Sequence, residues 1–511
     1  MNRIAYRYIL AFFCLYLSYG ICFLTWFPGV GMNDGLNVLK YGMSASSQHP
    51  VLYVGSVTAA KQVGQLFGTS LDTGIAFHVL TQMAAVCALT AVLVVWILNR
   101  KLPGSVKTVL TGYYIFHPLV AIYSVTMVKD TLFSLVLAVY ALLCYELSRK
   151  EGSFLPEDRP VRMFFILSGA FLIVWRNNGR YVVLPLLIIL YSAHRDWRKW
   201  LRAAILTAAA AVILHGCLTS LYHQKPLFQE AVGIPLQQVC RVVAEDGVMT
   251  EEQKDFLDHL MPLEKIKKSY NPRSSDHIKW DEDFQREYLN KNRKQFLKVW
   301  SEMMKQNFGL YCRAFLDATY YFWHPAAGRP AQCFFTITTT SGNAWLPEYI
   351  EENGVKDLPV IQGDAGEWLR NYYHLAVHFF SEAVLFWLMV LLTGIACLRF
   401  RCFAPVWGFL PLFLLWGTIM ISTPVAGSMR YVLAFVYTLP VFLAMALSDG
   451  DHGSGRKDGS NSAFNTQGLR FLFVTALITW MVSCTVLFAY APVIDQRVWG
   501  QSSRTELQVV K

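Results

Sequence analysis

About eleven stretches of this chain are apolar for long enough, or nearly long enough, to cross a bilayer, which takes roughly 20 consecutive apolar residues. They cover residues 8–26, 75–98, 109–123, 132–145, 163–175, 181–191, 203–221, 375–398, 403–421, 431–447 and 471–490. Hydrocarbon offers no water to backbone amides, so such runs are expected to be helices. The expected fold is therefore all-α, a polytopic transmembrane bundle. Composition decides against the alternative of three or four soluble domains: of 511 residues, 54% are hydrophobic and only 16% charged. Arg3 and Arg7 ahead of the first run suggest a secretory signal, but Trp26-Phe27-Pro28 is no cleavage site, so that run reads as a retained span.

The net charge of +10 would point to nucleic acid in a soluble protein. Here the basic residues sit in alternate short loops, as the positive-inside bias requires, and no nucleic-acid partner is expected. Those loops hold Arg3 and Arg7; Arg100, Lys101 and Lys107; Arg149, Lys150, Arg159 and Arg162; Arg195, Arg198, Lys199 and Arg202; Arg399 and Arg401; Arg456, Lys457 and Arg470. They are expected in the cytoplasm with the N-terminus, which places the long segment between spans on the outer face. The expected division is a transmembrane module at 1–222 with outer catalytic loops, an outer, mostly helical domain at 223–373, a second transmembrane module at 374–491 and an outer tail at 492–511. Of the eleven cysteines, Cys240, Cys312 and Cys333 fall in the outer domain, where at most one disulfide is expected.

Three polar islands share the outer side with the first loop, where Asp34 and His49 lie among Pro28, Gly29, Gly31 and Gly35. Asp34 reads as a base for an acceptor hydroxyl or amine, or else as part of a helix start with Asn33 as cap. Lys129-Asp130 opens a span, and its plain reading is a snorkelling lysine beside a capping aspartate. Arg176, Arg180 and Arg430 have the fixed bidentate donors that grip phosphate at membrane depth, or they pair structurally with Asp34 or Asp130. The runs 163–175 and 181–191 are too short for ordinary spans, so the expectation is a helical hairpin with Gly179 in its turn. The segment 51–70, interrupted by Lys61, Gln62 and Gln65, reads as a juxtamembrane helix extending the first loop into a lid. His374, His378 and Glu382 recur every four residues, a spacing that on one helix face can ligate a metal. There is no Walker loop, Gly-x-Gly-x-x-Gly, Cys-x-x-Cys or His-Glu-x-x-His.

Trp26-Phe-Pro-Gly with Asp34 and His49-Pro50, Val128-Lys-Asp130, Arg176-Asn-Asn-Gly, and Tyr311-Cys-Arg-Ala-Phe-Leu through Trp323-His-Pro resemble the GT-C glycosyltransferases. The nearest likeness is to a GT-C-like bacterial membrane family without assigned function. The resemblance implies transfer of a sugar from a polyprenyl-phosphate carrier to an envelope glycan, lipid or protein acceptor on the outer face of the plasma membrane. It makes Asp34 the base and Asp130 a second acidic position. Lys129, Arg176, Arg180 and Arg430 become donor-phosphate ligands, with His49, Asn178 and Tyr181 as substrate contacts. The first loop has Asn33-Asp34 where the commoner pattern has two adjacent acids, so a divalent metal stays open as a cofactor. The rival readings are a polysaccharide polymerase or ligase, and a lipid or polysaccharide transporter.

Overall fold

The computed structural model describes residues 3–44, 49–67, 70–149, 159–193, 197–219, 228–325, 335–337, 346–422 and 427–448. The chain opens with α1 (Arg3–Thr25), β1 (Val30–Gly31) and α2 (Asn33–Tyr41). Next come α3 (Val51–Phe67), α4 (Leu71–Leu98), α5 (Gly104–Phe116), α6 (Pro118–Ser124), α7 (Lys129–Arg149), α8 (Arg159–Trp175), α9 (Gly179–Ala193) and α10 (Trp197–Thr219). Shorter helices from α11 (Phe228–Ala231) to α18 (Phe308–Trp323) follow. After them lie β2 (Phe335–Thr336), α19 (Leu346–Glu352), α20 (Gly363–His374), α21 (Glu382–Phe400), α22 (Ala404–Ser422) and α23 (Leu433–Leu447). The two strands pair antiparallel, Val30 with Thr336 and Gly31 with Phe335, and apart from them the architecture is helical, as expected.

Among the described residues five helices are long and apolar enough to cross a membrane: Arg3–Thr25, Leu71–Leu98, Lys129–Ser148, Glu382–Phe400 and Ala404–Ser422. Gly179–Ser192, Leu201–Cys217 and Leu433–Leu447 are shorter apolar helices. The chain is a helical membrane protein, and its bundle exposes the side chains that hydrocarbon would cover, Leu17 at 70%, Val212 at 71% and Ile421 at 73% among them. Two expected spans are corrected. The run 109–123 is split between α5 and α6, because Pro118 cannot continue a helix and the His117 side chain instead caps α6 by accepting from the Leu119 amide at 3.2 Å. The run 375–398 starts late, at Glu382, after the Ser381 hydroxyl caps α21. The run at 471–490 lies outside the described residues.

Prolines inside apolar helices leave carbonyls without their usual amide donor, which is costly where no water reaches. Tyrosines on neighbouring helices fill two of these gaps. Pro118 cannot donate to Tyr114 O, which accepts from the Tyr19 hydroxyl at 2.8 Å. Pro440 cannot donate to Val436 O, which accepts from the Tyr113 hydroxyl at 3.1 Å. The adjacent Tyr437 O accepts from the Tyr114 hydroxyl at 2.6 Å. These bonds tie α1, α5 and α23 together through their helix breaks.

The expected hairpin forms, with α8 and α9 packed together and joined by a turn closed from the Gly179 amide to Arg176 O at 2.9 Å. A Cβ on Gly179 would sit 1.8 Å from Leu172 O, so only glycine lets the second arm start this close to the first. At 1.5 Å per residue the arms are about 25 and 22 Å long, short of the roughly 30 Å hydrocarbon core.

Residues 228–311 enclose a second core, separate from that of the bundle, in which Phe284, Phe296, Val299 and Met303 are buried and Tyr288, Trp300 and Met304 pack against it. These positions are spaced by threes and fours as on a helical face, but Phe284 lies outside any helix, Tyr288 falls in a helix at Arg286–Lys291 and the other five in one at Arg293–Gln306. The C-terminal end of α18 docks on the bundle, where Phe322 O accepts from Trp416 Nε1 at 3.0 Å and Trp323 O from Trp387 Nε1 at 2.8 Å. Cys240 and Cys312 are free thiols, the first buried and the second exposed, and Cys333 lies outside the described residues.

The two ends of the bundle differ in chemistry. At one end Arg7 donates to Asn99 Oδ1 at 2.5 Å, Lys107 to Leu98 O at 3.1 Å and Arg399 to Ala446 O at 3.3 Å, while Arg100 pairs with Glu146. At the other end α1 finishes and α7 and α23 begin, which gathers Asp34, Lys129 and Arg430.

Candidate functional site

The site begins with a close backbone approach. Strand β1 is laced to the segment before α7 by the Val30 amide donating to Val125 O (3.0 Å) and the Met127 amide donating to Val30 O (3.1 Å). The first turn of α2 then lies against Met127, and a Cβ on Gly35 would come within 2.3 Å of Met127 O. Glycine at 35 thus permits the contact that sets Asp34 beside Lys129. The N-cap of α2 is Met32, with no side-chain capping bond, so neither Asn33 nor Asp34 is the cap considered above.

Freed from capping, the Asp34 carboxylate takes two cations on one oxygen. Oδ2 lies 2.9 Å from Lys129 Nζ and 3.2 Å from Arg430 Nη1. Lys129 Nζ also lies 3.4 Å from His49 Nδ1, and Arg430 Nη2 donates to the Tyr431 hydroxyl at 3.0 Å. A second pair stands alongside, Arg176 Nη2 with Asp130 Oδ1 at 2.9 Å, with Arg176 flanked by the rings of Phe133 (5.2 Å) and Tyr431 (5.5 Å). Trp175 Nε1 donates to Lys129 O at 2.8 Å, which ties the end of α8 to the start of α7. Tyr53 of α3 reaches Met127 O at 3.4 Å and packs edge-on to Trp175, so α3 lies against the site as well as over the first loop.

Burial by itself would raise the Asp34 carboxyl, but Lys129, Arg430 and His49 outweigh it and hold the group well below the usual carboxylate range. Burial lowers His49 to about 4, with repulsion from Lys129 as the next cause, so this imidazole is neutral at pH 7. Burial disfavours the charge on Arg430, yet Tyr431, Asp34 and Asp130 more than compensate and keep it ionised. Among the described residues three cations then face two carboxylates, an excess of one positive charge. Arg176 Nη1 is buried without a hydrogen-bond acceptor among the described residues. The Asp130–Arg176 side chains are 1% and 7% exposed, whereas those of Asp34, Lys129 and Arg430 are 13%, 10% and 20% exposed, so the site opens on the Asp34 side.

Six of the residues singled out in the sequence are therefore gathered here: Asp34, His49, Lys129, Asp130, Arg176 and Arg430. Others are not. Arg180 is exposed and stacks over its neighbour Tyr181 at 4.9 Å, because the first turn of α9 points it away from Arg176. Tyr181 is itself 57% exposed. Asn178 donates to Thr418 Oγ1 at 3.3 Å, which fixes the hairpin turn on α22. The expected one-face triad of His374, His378 and Glu382 is corrected. His374 ends α20, residues Leu375–His378 form a 3-10 turn, and Glu382 starts a new helix. His374 packs its ring on Trp26 at 5.4 Å. No group of three His, Cys, Asp or Glu suited to a metal occurs among the described residues. Tyr431, Trp175 and Tyr53 also complete the site, and Gly35, which the sequence offers only as a turn former, sets its backbone approach. Adjacency to Arg430 and Arg176 marks Tyr431 and Trp175, and nothing local marks Tyr53.

Residues 44–461 match a family of unknown function, DUF6020. The chain belongs to that family. The stretch matched to DUF6020 contains His49, Lys129, Asp130, Arg176 and Arg430, while Asp34 lies upstream of it. No curated protein and no solved structure matches the chain.

Proposed function

We propose that the protein is a membrane glycosyltransferase of GT-C type that takes a sugar from a polyprenyl-phosphate carrier. The observation that carries the reading is the excess cation among the described residues of the site, together with a buried guanidinium nitrogen of Arg176 that has no acceptor among them. A phosphate supplies both the missing charge and the missing oxygen. Lys129, Arg176 and Arg430 would hold the donor phosphate and stabilise the charge that develops on it as the bond to the anomeric carbon breaks. The apolar helices would hold the polyprenyl chain, and residues 228–323 the acceptor.

Asp34 would take the proton from the attacking acceptor hydroxyl as the new glycosidic bond forms with inversion. Lys129 and Arg430 by themselves make it a poor base. A phosphate drawn onto Lys129 and Arg430 offsets their pull and raises the carboxyl, so base strength arrives with the donor. In this reading about eleven helices cross the plasma membrane, with a cytoplasmic N-terminus and the site on the outer face.

The test is transfer of labelled sugar from a polyprenyl-phosphate donor to glycan or lipid acceptors by purified protein in detergent, where no compartments exist. Transfer is expected, and it is expected to fail in Arg430→Gln. Stabilisation by the donor without turnover on any acceptor would favour a lipid transporter. No stabilisation by polyprenyl phosphate at all would overturn the phosphate site.

A further inference from the structure

We infer that Tyr431 is a positioning residue that sets Arg430 and Arg176 as one anion-binding pair, an inference that rests on the phosphate reading above. The two guanidinium groups belong to different ion pairs, on Asp34 and on Asp130, and come from different helix ends. Like charges this near one another separate unless something between them favours both. The Tyr431 ring does so, with Arg430 at 4.9 Å and Arg176 at 5.5 Å from its centre, and its electron-rich face attracts each cation.

The hydroxyl adds a second constraint. Arg430 splits its fork, with Nη2 on the Tyr431 hydroxyl at 3.0 Å and Nη1 on Asp34. An incoming phosphate competes with Asp34 for Nη1, while the tyrosine keeps Nη2 and hence the plane of the group in place. Tyr431 is itself held: it is 8% exposed, its amide donates to Ser428 O at 3.0 Å, and its ring packs near Phe322 at 6.4 Å. Tyr431 thus acts through the arginines and needs no contact with the reacting atoms.

The experiment measures binding of a polyprenyl phosphate, and of the matching polyprenol that lacks phosphate, to the full chain in detergent. Tyr431→Phe, which keeps the ring and loses the hydroxyl, is expected to weaken polyprenyl-phosphate binding about tenfold, the usual effect of losing a hydrogen bond to a charged group. Tyr431→Leu loses the ring as well and is expected to cost roughly a further fivefold. Polyprenol binding is expected to stay at the wild-type value in both. Wild-type phosphate affinity in Tyr431→Phe overturns the inference, as does equal loss of both lipids in either variant. Arg176→Gln and Arg430→Gln separate the two levels of the argument. If these weaken phosphate binding and the tyrosine variants do not, the Tyr431 role fails alone; if none of the four does, the phosphate site fails with it.

Discussion

Replacing Asp130 with Asn keeps the shape of the side chain and removes the charge that Arg176 faces at 2.9 Å. With the pair's side chains 1% and 7% exposed, water cannot take over the role of Asp130, and the remaining guanidinium shares the Tyr431 ring with Arg430. Breaking a buried pair by removing one partner costs about 3 to 5 kcal/mol. At about 2 to 4 °C per kcal/mol for a large domain, the melting temperature should fall by roughly 6 to 20 °C. Arg176→Gln alone should also destabilise, by stranding Asp130. The double variant should recover most of the loss, since replacing both members of a buried pair is often neutral. Thermal unfolding in detergent, followed by tryptophan fluorescence across the four-protein cycle, measures this. Because the pair is buried, the result should change little between low salt and about 0.5 M salt, unlike that for an exposed pair. Single losses below about 1 kcal/mol, or a double variant as unstable as the sum of its parts, would show that the pair is not closed to water and refute the reasoning.

Asp34→Asn should bind polyprenyl phosphate more tightly than wild type, because Lys129 and Arg430 lose a competing carboxylate, while transfer falls by roughly 10²- to 10⁴-fold; weaker binding in that variant would contradict the arrangement. The folded-state pKa of His49, lowered to about 4, lies below the unfolded value near 6.5, so its contribution to stability is complete above about 6.5 and is lost as pH falls toward 4. That amounts to about 3 kcal/mol, and His49→Gln should flatten the stability curve across this window in pH-dependent melting. Arg180→Ala removes an exposed side chain that stacks on its neighbour's ring, so its melting temperature and phosphate affinity should match the wild type within error. A large loss of either would return Arg180 to the site.

Much of the local structure is legible in the residues themselves. Apolar length alone marks the five helices long enough to cross a membrane, because an unsatisfied amide in hydrocarbon leaves the chain no cheaper solution. The Arg176-Asn-Asn-Gly hairpin is legible too, since its arms are short and Gly179 alone tolerates the approach to Leu172. The break at His117-Pro118 falls inside an expected span, because the apolar length of a run does not show where a proline ends its helix and a histidine caps the next. What sequence could not settle is which polar residues meet. Asp34 and Arg430 are 396 residues apart, and their contact depends on Gly35 lying on Met127, on α7 packing beside α23 and on the tie from Trp175 to Lys129. Arg176 and Arg180 look equivalent in the sequence, yet the turn between α8 and α9 leaves the first inward on Asp130 and the second outward over Tyr181. His374, His378 and Glu382 keep their spacing and lose their shared face, because a hydroxyl at Ser381 starts a new helix. Spacing and charge are properties of the chain, but the pairing of charges is decided by packing, since a buried cation is stable only where the fold brings it an anion.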